Sequence, residues 1–184
     1  MLQFVLELWD KIESMKLKDN FCFETKDLKI RFYQSMDFEL WQNLFSEMSE
    51  KQNQWDWEPE IIENLTKERF IKKLDRHAKE RKEGSCLYFC IEKNSTKQLI
   101  GIALIKILSE QEAEIGFQVS NKYWGKGFGT EISKGTLEIV KNILKIPKCI
   151  AFVNPENIIS LHILNKIGFK KTATEKENMI KFEI

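Results

Sequence analysis

The chain has 184 residues, enough for one domain that buries its own core without disulfide or metal staples. Its 29 Lys and Arg offset 28 Asp and Glu to a net charge of +1, so no global field selects a nucleic-acid or membrane surface. No run of about 18 apolar residues occurs, and no membrane-spanning helix is expected.

The opening MLQFVLELWD lacks the basic start and small-residue cleavage site of a signal peptide, which implies a cytoplasmic protein. Cys22, Cys86, Cys90 and Cys149 form no C-x-x-C pair, and His77 and His162 stand at no zinc spacing from them. Buried, reduced thiols and no metal are the expectation.

Residues 2–17 place Leu2, Val5, Leu6, Trp9, Ile12 and Met15 near helical spacing. They predict an amphipathic helical extension, 1–20, that packs on the domain or contacts a partner. The domain proper is 21–184. Residues 21–32 alternate apolar and basic groups as a first strand. Ser35 and Asp37 precede a helical stripe of Leu40, Trp41, Leu44, Phe45 and Met48. Residues 49–60 break the pattern, with Trp55 and Trp57 flanking Asp56 and Pro59 behind them. The two tryptophans read either as core plugs or as a wall for a substrate.

Residues 66–82 form a charged helix with Phe70, Ile71, Leu74 and Ala78 inward, ended by Gly84. Residues 85–92 and 98–108 form a hairpin, and 112–119 adds a strand. A helix over 131–144 and a short apolar strand over 148–154 come next. A helix over 157–167 with Ile158, Leu161, Leu164 and Ile167 inward is followed by strands near Phe169 and over 178–184. Strands in series, then strand–helix–strand–helix, make an α+β domain with a mixed sheet.

The organising stretch is Tyr123–Lys141, YWGKGFGTEISKGTLEIVK. Gly125, Gly127 and Gly129 alternate with Lys126 and Phe128 and run straight into a helix. A helix opening from such a turn aims its unpaired N–H groups and positive dipole end at the turn, which suits a phosphate. The pattern is neither the dinucleotide fingerprint, because the third Gly comes one residue early, nor the Walker turn, because Lys126 lies inside it.

With its flanks, the order EIGF (114–117), YWGKGFGTE (123–131), Asn157-x-x-Ser160 and KIGF (166–169) resembles the GNAT acetyltransferases, in particular the branch of ribosomal-protein N-acetyltransferases of the RimJ/RimL type. The resemblance covers roughly 23–172. Trp124 stands where the broader family has Arg or Gln, a mark of that branch. The resemblance implies a single-domain GNAT fold. Its mixed, mostly antiparallel sheet of about six to seven strands would splay between 113–119 and 148–154. It implies acetyl-CoA as donor and a primary amine, on a protein N-terminus or a small molecule, as acceptor. A catalytically weak CoA-binding or partner-binding module on the same fold is the alternative.

On this resemblance Phe117, Gln118 and Val119 offer main chain to the pantetheine arm. Trp124, Gly125, Lys126, Gly127, Phe128, Gly129 and Thr130 hold the pyrophosphate, and Asn157 and Ser160 add contacts. Trp55 and Trp57 border the acceptor. An amine must lose a proton to attack, and Glu114 is the expected base. The family's tyrosine acid is replaced by Leu164, leaving Ser160 as the expected donor to the CoA thiolate. No direct nucleic-acid or membrane partner is expected, and the chain is a monomer or homodimer.

Overall fold

In the computed structural model, residues 17–51, 54, 56, 59–176 and 178–184 are described, with the side chains of 173–176 left aside. The expected extension over 1–20 falls mostly outside them, as do Trp55 and Trp57.

Alternation of buried and half-buried residues along Leu28–Arg31 (β2) seats Leu28 and Ile30 in the core. Ahead of it, Cys22–Glu24 (β1) pairs antiparallel with β2. The one strand expected over 21–32 is thus a hairpin. Its bend is fixed by Glu131, whose Oε1 accepts from Thr25 Oγ1 at 2.5 Å and from the Asp27 amide at 2.7 Å. The remaining strands are Cys86–Lys93 (β3), Leu99–Ile107 (β4), Glu112–Val119 (β5), Lys148–Val153 (β6), Lys170–Lys176 (β7) and Met179–Glu183 (β8). They form an eight-stranded sheet in the order β1-β2-β3-β4-β5-β6-β8-β7. Eight strands replace the expected six to seven, through the β1–β2 split and the C-terminal β7–β8 hairpin.

Every neighbouring pair is antiparallel except β5 and β6. That parallel pairing covers only Glu112–Glu114 against Lys148–Ile150. Residues 115–119 then run on without a partner on the β6 side, so the sheet opens into the expected splay. β4 holds β5 closely there: a Cβ on Gly101 would meet the Gln118 carbonyl oxygen at 2.3 Å.

Helices cover both faces. Phe38–Ser46 (α1) and Lys67–Lys82 (α2) bury Trp41, Leu44 and Phe70 with Leu65, Cys90 and Leu99 on one side. The Thr66 hydroxyl caps α2 by accepting from the Arg69 amide at 3.2 Å. Phe128–Glu138 (α3) and Ile158–Lys166 (α4) pack Phe128, Ile132 and Leu164 on the other side against Ala113, Ile115 and Val119. α3 starts three residues earlier than its periodicity indicates, because Gly127 is its N-cap. Beyond Glu138 the chain widens to a π turn over Ile139–Ile143.

Three inward assignments are corrected. Ile71 and Ile158 are 47% and 67% exposed and Ala78 is exposed too, since each lies at the solvent edge of its helix rather than on the core stripe. Cys86, Cys90 and Cys149 are buried as expected, and Cys22 is exposed on the short first strand.

Candidate functional site

The glycine turn supplies the geometry that its sequence suggests. Gly125 and Gly127 take φ of 73° and 84°, a left-handed backbone that costs a side chain 1–2 kcal/mol, roughly. Glu131 N–H returns to the Gly127 carbonyl at 3.1 Å and closes the first turn of α3. The amides of Gly127, Phe128, Gly129 and Thr130 precede that bond and have no partner within the helix. Gly129 works differently from its two neighbours. Its φ is not positive, and a Cβ there would lie 3.0 Å from Ile163 Cδ1 and 3.3 Å from Phe117 Cε2. It is small so that α3, α4 and β5 can meet.

The edge of β5 continues the site. Ser120 N–H donates to Ile100 O at 2.8 Å and Leu108 N–H donates to Glu112 O at 3.0 Å. In an antiparallel ladder these rungs aim the main-chain groups of even-numbered β5 residues at β4. Those of Ile115, Phe117 and Val119 therefore aim at the splay. One is already used: Trp124 Nε1–H donates to the Val119 carbonyl at 2.8 Å.

Cradle and strand edge open into one cavity of about 420 Å³. Phe117, Gln118, Val119, Trp124, Gly125, Gly127, Phe128, Gly129, Thr130, Asn157 and Ser160 all line it, and all were expected from sequence. Lys126 does not. It is exposed, donates Nζ to the Lys122 carbonyl at 3.2 Å and lies over the Tyr123 ring. Tyr123, Ile159 and Ile163 complete the lining and were missed. Helical spacing from Ser160 to Ile163 carried the signal for the last.

On α4, Asn157 caps the helix by accepting the Ser160 amide at 3.1 Å, while Ser160 stays half-buried in the cavity wall. Leu164 is 2% exposed and sits in the core rather than at the wall. Glu114 is half-buried on the last parallel rung, opposite Ile150. It shares with Gly116 and Gln118 the face of β5 turned away from α3, toward α1 and α2. It lies outside the cavity lining, about 13 Å along the strand from Gln118.

The 49–60 stretch reaches this region from that face. Asn121, 5% exposed, follows β5 directly. Its Nδ2 donates to Ser49 O at 2.9 Å, Glu50 O at 3.1 Å and Asp56 Oδ2 at 2.8 Å, and its Oδ1 accepts from the Ser49 amide at 3.0 Å. Gln54 Nε2 donates to Glu156 Oε2 at 2.7 Å, just past β6. Trp55 and Trp57 lie outside the described residues. Among the described residues no group of three or more His, Cys, Asp or Glu could hold a metal, and no helix is long and apolar enough to cross a membrane.

The sheet thus opens beside a glycine-opened helix, and strand edge and helix amides share one cavity. The family described as Acetyltransferase (GNAT) domain matches residues 27–170, and the chain belongs to that family. The uncharacterized N-acetyltransferase p20 of Bacillus licheniformis is 31% identical over 91 residues, 48% of this chain and 51% of that protein. The [ribosomal protein uS5]-alanine N-acetyltransferase of Escherichia coli is 26% identical over 102 residues, 54% of this chain and 53% of its own length. The chain thus spans about half the length of these curated relatives. The ribosomal-protein-S5-alanine acetyltransferase of Vibrio fischeri superposes with a TM-score of 0.70 at 18% identity, over 90% of this chain and 96% of that one. RimJ of Mycobacterium smegmatis, solved with a CoA disulfide, gives 0.67 at 18% identity, over 85% and 81%. At that identity the two structures support the fold alone.

Proposed function

We propose that this protein is an acetyl-CoA-dependent N-acetyltransferase whose acceptor is a primary amine, on a protein N-terminus or a small molecule. One observation carries the reading: the free amides of α3 and the open edge of β5 face a single cavity. A pyrophosphate needs several converging donors, and Gly125–Thr130 offer them. An amide-bearing pantetheine arm pairs like an added strand with the main chain of Phe117 and the amide of Val119. The curated relative named as a [ribosomal protein uS5]-alanine N-acetyltransferase favours the protein N-terminus.

In this mechanism the acceptor nitrogen forms a bond to the thioester carbonyl carbon as the C–S bond breaks. Glu114 takes the amine proton, directly or through water. The Ser160 hydroxyl delivers a proton to the departing thiolate sulfur and is reprotonated from solvent. Trp55 and Trp57 border the acceptor. Residues 21–184 form the acetyltransferase domain, with 1–20 as an extension, and the protein works in the cytoplasm as a monomer or homodimer.

The test has two arms. Acetyl-CoA at a hundredfold excess over its dissociation constant stabilises the fold by about 2.7 kcal/mol, read as a raised melting temperature. Acetyl transfer is then followed on N-terminal peptides and an amine library. An unchanged melt in millimolar acetyl-CoA overturns the donor. Raised melting with no transfer to any acceptor leaves only a CoA-binding module.

A further inference from the structure

A second cavity lies on the face of the sheet turned toward α1 and α2, and the acetyl-transfer mechanism does not use it. β2 stops pairing with β3 at Arg31 opposite Cys90. Phe32, Tyr33 and Gln34 then leave the sheet, while β3 extends past that point from Phe89 back to Cys86. Leu74, His77 and Arg81 of α2 close the gap from above. The space between them is about 260 Å³. That holds roughly nine waters at ~30 Å³ each, or one small ring with a short substituent. It shares no lining residue with the glycine-turn cavity. Tyr88 pairs with Leu104, and Leu104 with Gly116, so the cavity wall stands two strands, about 10 Å, from β5.

Rings make much of this wall. Tyr88 stacks on His77 with centroids 4.2 Å apart, Tyr33 lies 6.1 Å from His77, and the Arg81 guanidinium lies 4.3 Å over Phe32. Flat apolar faces of this kind suit a flat ligand. The unsatisfied polar atoms are donors. Tyr33 and His77 are 9% and 5% exposed, and Tyr33 Oη and His77 Nδ1 have no hydrogen-bond partner among the described residues. Arg76 Nη2 lies 3.4 Å from His77 Nε2. A guanidinium has no acceptor, so Nε2 accepts and Nδ1 carries the ring proton. Arg81 gives one N–H to Asp19 Oδ1 at 2.5 Å and keeps the rest of its donors. Asp19 is the only carboxylate of the lining among the described residues, whereas Lys73 and Arg76 add positive charge over the rings of Tyr33 and Tyr88. Buried donors without partners, beside an excess of positive charge, are matched by an anionic acceptor.

We propose that this cavity is a binding site for a small planar anion, an aromatic carboxylate, separate from the site of acetyl transfer. The ligand ring packs on the wall of Phe32, Tyr33, His77 and Tyr88. Its carboxylate accepts from the Tyr33 hydroxyl, from His77 Nδ1–H and from Arg81. The site stands independently of the acetyl-CoA reading above.

Calorimetric titration of the full chain with benzoate and phenylacetate tests it, with phenylacetamide and phenethylamine as the neutral and cationic controls. Both carboxylates bind saturably at one site, with or without acetyl-CoA, and the controls bind at least about tenfold more weakly. Tyr33→Phe and His77→Phe each keep a ring and remove one donor, and each lowers phenylacetate affinity about tenfold or more. Arg81→Gln lowers it as well. The Tyr33 hydroxyl has no partner among the described residues, so Tyr33→Phe without ligand melts at the wild-type temperature or above. A lower ligand-free melt in that variant gives the hydroxyl a structural role and overturns the proposal. No saturable binding of either carboxylate at millimolar concentration also overturns it. So does phenylacetamide bound as tightly as phenylacetate, or affinity unchanged in folded Tyr33→Phe and His77→Phe proteins. Displacement of phenylacetate by acetyl-CoA places the anion in the glycine-turn cavity and overturns it too.

Discussion

The indole of Trp124 donates its N–H to the main-chain carbonyl of Val119 at 2.8 Å, across the mouth of the splayed sheet. The bond spans five residues of sequence and ties the start of the glycine turn to the end of the strand edge. Of the main-chain groups that Phe117 and Val119 aim into the splay, it uses one acceptor and leaves the rest for a ligand. Arg or Gln at this place would bring a long flexible donor, whereas Trp brings a rigid one with an apolar wall.

Trp124→Phe keeps that wall and removes the donor. Losing one hydrogen bond of ordinary strength, about 0.5–1.5 kcal/mol, weakens acetyl-CoA binding roughly two- to tenfold. Trp124→Ala loses the wall as well and weakens it further. Calorimetric titration with acetyl-CoA distinguishes the two. Equal affinity in Trp124→Phe would mean that the edge keeps its shape without the bond.

Substitutions in the glycine turn separate two physical causes. Gly127→Ala meets no atom within 4 Å but must hold φ near 84°. The strain, of order 1–2 kcal/mol, loosens the cradle and lowers affinity for acetyl-CoA. Gly129→Val has no such strain and instead drives branched carbons toward Ile163 and Phe117, which forces α4 away from β5. Its melting temperature falls even without ligand. Ligand-free melting curves for the two variants, set beside their acetyl-CoA affinities, check the division.

Gly101→Ala tests the shape of the splay from the other side. The added Cβ meets a main-chain oxygen, Gln118 O, which has no flexible side chain to yield. Overpacking of this kind costs typically 1–3 kcal/mol and pushes β5 toward β6. Denaturant unfolding reads the loss, and weaker acetyl-CoA binding reports the shifted strand edge. A variant with unchanged stability would show that β4 and β5 part easily.

The cradle was legible in the sequence because its causes are local. Glycine spacing and a helix without a spacer are properties of neighbours, and eleven expected contacts share one cavity. Helix and strand order were legible from periodicity for the same reason. The misses are tertiary. The split of 21–32 is set by Glu131, more than 100 residues away, and the anchoring of Asp56 by Asn121 joins segments 65 apart. Ile71 and Ile158 satisfy the helical pattern yet face water, because periodicity marks a stripe and not the width of what covers it.

His77 makes stability depend on pH. It is 5% exposed and stacks on Tyr88 at 4.2 Å between centroids, with Tyr33 on another side. Burial, then the charges of Lys73, Arg76 and Arg81, push its pKa down to about 3 from the ordinary value of 6.5. The unfolded chain therefore takes up a proton below pH 6.5 that the folded chain refuses. Stability contributed by this group is complete above pH 6.5 and is lost as pH falls toward 3, by roughly 3 kcal/mol at pH 4. Lys73, held down to about 8 by its own burial and then by Arg76, is charged in both states over this range and adds no slope there. His77→Phe keeps a ring against Tyr88 and removes the titration. Its acid limb between pH 6.5 and 4 should flatten against the wild type in urea melts taken at each pH. An acid limb of unchanged slope would assign the loss to groups other than His77.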